Sequence, residues 1–138
     1  MPRSMDKSLG DGGMPLLAQL GVGFDAYGDG WATAAWVPTG LACNPLGGLH
    51  GGVFGVIHDA AMNFATNSAL ESGDRAVTLD VAYQTIRPAT SNDVLTIRGE
   101  VVRLAKQVAY ATSTVHDAAG DIVSSGTATF LVRRKPPA

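Results

Sequence analysis

A single cysteine, Cys43, stands in a chain of 138 residues, so no internal disulfide can form and no thiolate pair exists to hold a metal. That fits a reducing compartment, and a cytoplasmic location is expected. Charge is sparse as well. Ten basic and twelve acidic side chains leave a formal net charge of −2, with 16% of residues charged and no run of one sign. A nucleic-acid groove or a membrane-binding face draws on such runs, so neither partner is expected. No apolar stretch approaches the ~20 residues of a membrane-crossing helix, and MPRSMDKSLGDGGMPLL, residues 1–17, lacks the apolar centre of a secretory signal. Internal repeats and low-complexity tracts are missing too.

What the chain does have is apolar surface to bury: 46% of its residues are hydrophobic, enough for one domain with a substantial core. The polar, glycine-rich residues 1–13 read as a flexible arm, residues 14–134 as a single domain and residues 135–138 as a tail. A short helix is expected near MPLLAQL, followed by a hairpin over VGFDAYGDGWATAAWVP that turns at Gly28-Asp29-Gly30. Val53, Val56, Ile57, Ala60, Ala61 and Phe64 then recur at helical spacing, and Ser72-Gly73-Asp74 punctuates the end of a helix of about five turns. Strands follow. Val77, Leu79, Val81 and Tyr83 share one parity, as do Leu95, Ile97 and Val101, and two further strands turn at Asp117 to Gly120. One long apolar helix among five or six strands with short connections predicts an α+β fold, an antiparallel sheet curled around that helix.

The helix itself is unusual. In NPLGGLHGGVFGVIHDAAMNFATNSAL, residues 44–70, two glycines open it and Asp59 sits more than two turns inside. Each feature has an ordinary explanation: glycines where packing leaves no room for a Cβ, and an acid paired for structural reasons. A chemical explanation competes with these. The first N–H groups of a helix are unpaired and lie at the positive end of its dipole, so a bare glycine there lets a substrate carbonyl oxygen approach. A half-buried carboxylate could then supply a base or a nucleophile. Gly51 and Asp59 are eight residues apart, about 12 Å along one helix, whereas both must lie within ~3 Å of the reacting group. One chain cannot close such a site. A second copy with its helix antiparallel across a two-fold axis would bring Gly51 of one to Asp59 of the other.

NPLGGLHGG, an acid nine positions after the histidine, and VTLDVAYQTIRPA together resemble the hotdog-fold acyl-CoA thioesterases of the phenylacetate-pathway and 4-hydroxybenzoyl-CoA thioesterase type, from about Leu16 to Arg133. The resemblance implies a sheet wrapped around one helix, homodimers joined through antiparallel helices and sheet edges, and dimers paired into tetramers. It also implies hydrolysis of an aryl- or medium-chain acyl-CoA. In that reading Gly51 donates its N–H to the thioester carbonyl, His50 and Asn44 shape the pocket, and Asp59 is nucleophile or general base. Thr78 matches a hydroxyl residue that orients water, and its parity, opposite to the Val77, Leu79 and Val81 set, points it away from its own core. Gly52, Phe54, Met62 and Asn63 are assigned to substrate binding.

Arg87, Arg103 and Lys106, with Arg133 and Arg134, are candidate partners for the phosphates of coenzyme A. Coenzyme A is part of the substrate, so no separate cofactor is expected. A metal site from His50, His58 and Asp59 is disfavoured because His50 and His58 stand about 12 Å apart along the axis. The absence of a G-x-S-x-G elbow disfavours a serine hydrolase. Two alternatives share the same fold: an enoyl-CoA hydratase or dehydratase, whose histidine-plus-acid pair is not laid out like HGGVFGVIHD, and a non-catalytic acyl-CoA binding module.

Overall fold

The computed structural model describes residues 10–136. Their elements run α1 (Pro15–Leu20), β1 (Val22–Gly28), β2 (Trp31–Trp36), a 3₁₀ turn (Gly40–Ala42), α2 (Gly51–Ser68), β3 (Arg75–Thr85), β4 (Leu95–Leu104), β5 (Val108–His116) and β6 (Ile122–Arg133). The strands form one antiparallel sheet in the order β1-β2-β4-β5-β6-β3. Helix α2 touches all six of them. This is the expected α+β layout, with six strands.

The sheet curls because its inner face must cover a helix that is apolar along most of its length. Trp36, Phe54, Phe64, Ile57 and Ile97 are almost fully buried. Phe64 stacks on Phe24 with ring centroids 4.3 Å apart, and Phe54 meets Trp36 edge-on at 5.4 Å. The Trp36 indole N–H donates to the Leu20 carbonyl at 2.9 Å, which ties β2 to the end of α1. A second cluster around Met62, Leu70 and Phe130 fills the other end of the helix. α2 stops at Ser68, before Ser72-Gly73-Asp74, and just inside its end the Asn67 side chain accepts the Ala76 N–H of β3.

One expectation needs correction. On β3 the single parity of Val77, Leu79, Val81 and Tyr83 does not hold, because a bulge interrupts the pairing with β6 between Thr78 and Asp80. An extra residue in one strand swaps the faces beyond it. Ala76 and Thr78 face the helix before the bulge and Val81 and Tyr83 after it, while Val77 and Leu79 stay exposed. Of the expected arm, residues 1–13, the described part begins at Gly10. Gly10 exchanges both backbone hydrogen bonds with Phe24, at 3.0 and 2.6 Å, which covers part of the outer edge of β1. Residues 1–9 and 137–138 lie outside the described residues.

Two strand glycines let helix and sheet approach closely. A Cβ built on Gly99 of β4 would lie 2.4 Å from the Ala61 carbonyl oxygen, and one on Gly126 of β6 would lie 2.9 Å from the His58 ring. At Gly99 the obstacle is helix backbone, which cannot step aside without moving α2. Gly99→Ala is therefore expected to destabilise the fold by about 1–3 kcal/mol. Gly23→Ala, where a Cβ meets nothing within 4 Å, is the control, and urea denaturation of the two variants checks the difference.

Candidate functional site

The helix mouth is built by the loop before it. Asn44 closes that loop on itself: its Oδ1 accepts from Leu46 N–H at 2.9 Å and Gly48 N–H at 3.2 Å, and its backbone N–H donates to the Gly48 carbonyl. Asn44 therefore shapes the entrance from inside the loop. Leu49 and His50 then bond to the Ala89 and Ala42 carbonyls, fixing the direction in which α2 starts. His50 is the N-cap, and its Nδ1 accepts the Gly52 N–H at 3.0 Å. That occupies Gly52. The Gly51 N–H has no partner among the described residues, and nothing stands within 4 Å of where a Gly51 Cβ would be. An open donor at the positive end of a five-turn helix is what remains.

Two turns on, Asp59 is half-buried, and its Oδ1 accepts the Thr78 hydroxyl at 2.7 Å. Thr78 thus faces its own helix, contrary to the parity expectation, and holds one oxygen of the acid. One turn further, Asn63 donates to the Ala76 carbonyl at 3.2 Å and accepts from Asn67, whose Oδ1 takes the Ala76 N–H. Asp59, Asn63 and Asn67, spaced by four, form a polar seam between α2 and β3. On its other side Asp59 borders a pocket of about 340 Å³, closed by Met14, Leu16 and Leu17 of the α1 segment and by Val56, Ala60 and Phe64 of α2. The lining is mostly apolar, with Asp59, Asn63 and Asp11 as polar members.

The remaining sequence-predicted residues separate. Phe54 and Met62 belong to the two core clusters and line no part of this pocket. Arg87 is exposed just after β3, near the helix mouth, where its N–H bonds to Val123. Arg103 and Lys106 are exposed at the far end of β4, level with Thr129 and beyond. Six residues of β6 separate those levels, about 20 Å, so these cations do not converge within one chain. Arg134 is already engaged. Its guanidinium contacts Asp74 at 3.3 Å and donates to the Lys106 and Ala105 carbonyls. The Lys135 N–H, and to a lesser degree Arg134, holds the Asp74 carboxyl below its ordinary range. Among the described residues no three metal-ligating side chains come together, and no helix is long and apolar enough to cross a membrane.

Residues 46–124, which hold Gly51, Asp59 and Thr78, match the family described as "Thioesterase superfamily". The chain belongs to the thioesterase superfamily. Its sheet and helix are the hotdog fold of that superfamily. A candidate esterase of Haemophilus influenzae is 29% identical over 92 residues, which span 67% of this chain and 66% of that protein's length. A candidate thioesterase from Ralstonia eutropha, related to phenylacetic acid degradation, superposes with a TM-score of 0.78 at 25% identity, covering 86% of this chain and 89% of that one. A hypothetical thioesterase of Streptococcus pneumoniae, solved with coenzyme A, superposes with a TM-score of 0.75 at 23% identity, covering 83% and 87%.

This thioesterase-superfamily chain carries one polar cluster that its sequence did not announce. His58, fully buried beside Asp59, points into the sheet between Ser113, at 2.5 Å from Nδ1, and Ser124, at 2.7 Å from Nε2. Ser124 donates its proton to the Gln84 carbonyl, so its oxygen accepts from Nε2–H. Burial lowers the ring's pKa from the usual 6.5 to about 4, so the ring is neutral at pH 7 and its Nδ1 accepts from Ser113. The serines lie 55 and 66 residues away, and only the burial of a histidine at a core-facing helix position hinted at them. Because the folded pKa lies below the unfolded one, the neutral ring's contribution is complete above pH 6.5 and is lost as pH falls toward 4. At most about 3 kcal/mol is involved. Urea denaturation between about pH 7 and pH 4.5 should show a shallower decline in His58→Gln than in the wild-type protein, by up to about 1.4 kcal/mol per pH unit.

Proposed function

We propose that the protein hydrolyses an acyl-CoA thioester to a free acid and CoA, at a site shared by two copies of the chain. The observation that carries this reading is Asp59: a carboxylate held on one oxygen by Thr78 and opening on an apolar pocket. It lies in the part of the chain that matches the thioesterase superfamily. The pocket's Met14, Leu16, Leu17 and Val56 favour an uncharged aryl or medium-chain acyl group. The coenzyme A held by the streptococcal neighbour supports a CoA ester as the substrate. Arg87, beside the helix mouth, is the cation assigned to the CoA phosphates.

In the reaction the thioester carbonyl oxygen sits at the Gly51 N–H, where the negative charge of the tetrahedral intermediate develops. Asp59 either takes a proton from the attacking water or attacks the carbonyl itself, giving an anhydride that water then opens. In both routes the C–S bond breaks, the CoA thiolate leaves and takes up a proton, and one water is consumed. The two groups lie about 12 Å apart on one helix, so they serve different sites. Strand β3 supports the pairing this requires: its eleven residues bond to β6 on one side only among the described residues, and Val77 and Leu79 are exposed along it. An unpaired edge of that length is a template for a second copy. Two such edges joined antiparallel form the dimer, and pairing of dimers gives the expected tetramer.

Gly51→Pro isolates the N–H. Proline suits the first helical position, the extended His50 (ψ 128) tolerates a following proline, and the Cβ space is free. Gly51→Pro and Asp59→Asn should each lower kcat by at least about 100-fold, whereas Gly51→Ala retains the donor. Co-refolding the two inactive variants should restore about a quarter of wild-type activity, because half the dimers then hold one intact site. Full activity of a monomeric fraction in gel filtration, or no recovery on mixing, would exclude the shared site. Single turnover in ¹⁸O-water separates the routes, since only the anhydride places label in the Asp59 carboxylate.

A further inference from the structure

Tyr83 is outside every role so far described, yet it reaches the helix mouth. Its hydroxyl donates to the Gly51 carbonyl at 3.1 Å, while the Gly52 N–H donates to His50 at 3.0 Å. The Gly51 carbonyl and the Gly52 N–H are the two ends of one planar peptide unit. The Gly51 N–H belongs to the unit before it, and the two are hinged at a glycine Cα with no side chain, where an added Cβ would meet nothing within 4 Å beyond the adjacent backbone. We propose that Tyr83 is a positioning residue: with His50 it clamps the Gly51–Gly52 peptide at both ends and so sets the direction of the open Gly51 N–H. The inference rests on the thioesterase reading above, in which that N–H receives the carbonyl oxygen.

Three further observations converge on the same residue. Gly55 lies inside α2, where glycine costs about 0.5–1 kcal/mol relative to alanine, and a Cβ there would lie 2.9 Å from the Tyr83 ring. The glycine is the clearance through which the ring crosses the helix. The ring also lies against His58, centroids 5.8 Å apart, and His58 is locked by its two serines. Finally, the β3 bulge places Tyr83 on the helix side of the sheet. The hydrogen bond lies at an exposed position, Tyr83 being 37% accessible as a residue, so it adds little to folding and its effect falls on the orientation of the donor.

Tyr83→Phe keeps the ring and removes the hydroxyl. It is expected to lower kcat for acyl-CoA hydrolysis about 10- to 100-fold, with KM changed less than about two-fold and an unchanged melting temperature. In the Gly51→Pro background, where no donor remains to be aimed, the same substitution should have no further effect on residual turnover. A purely structural role would lower both backgrounds alike. Tyr110→Phe, on the outer face of β5, is the control. The amide resonances of Gly51 and Gly52 should shift in Tyr83→Phe and not in Tyr110→Phe, a readout independent of turnover. Unmoved amides, or a Tyr83→Phe enzyme with wild-type kcat, would overturn the clamp. A wild-type protein that hydrolyses no acyl-CoA while the amides still move would overturn the thioesterase reading and the catalytic role built on it, leaving the clamp as local structure.

Discussion

The structure depends on how one long helix lies against a sheet that also has to satisfy its polar groups. Burying α2 removes water from its sheet side, and a polar side chain there is costly unless it finds a partner. Each one does. His58 finds two serines, Asn63 and Asn67 find the Ala76 backbone, Thr66 turns back to the Met62 carbonyl, and Asp59 finds Thr78. The strands that cover the helix are also the strands that orient it, so support and site have the same origin.

Much of this could be read from order along the chain. The hairpin at Asp29-Gly30, the five-turn helix, the alternation of β4 and the glycine-opened helix mouth are local patterns, and local patterns survive folding. What escaped were facts that join distant residues. The bulge between Thr78 and Asp80 has no sequence mark, and it reversed the expected direction of Thr78. Gly55, Gly99 and Gly126 are glycines because a tyrosine ring, a helix backbone and a histidine ring lie against them, and none of those neighbours is adjacent in sequence. Phe54 and Met62 were expected to help bind the substrate. Their burial in two separate clusters reflects which strands curl over which end of α2.

The charged residues were the least legible. A cation near a strand end reads the same whether it waits for a phosphate or is already bound, and Arg134 is bound, to Asp74 and two carbonyls. Arg87 and the Arg103–Lys106 pair look equivalent in a list of basic residues, but the sheet places them about 20 Å apart. Only the strand pairing, which sets Arg87 level with Val123 and Arg103 level with Thr129 of β6, separates them.

The bulge on β3 also makes two rulers agree. Thr78 and Tyr83 are five residues apart, yet their partners on β6, Phe130 and Gly126, are only four apart, a span of about 13 Å. The eight helical steps from Gly51 to Asp59, which these two side chains grip, cover about 12 Å. Strand and helix are thus commensurate over this one interval, and α2 cannot slide by a turn without releasing both grips. The spacing between the Gly51 N–H and Asp59 along one helix is therefore fixed by backbone geometry, and side chains in the core can change without altering it.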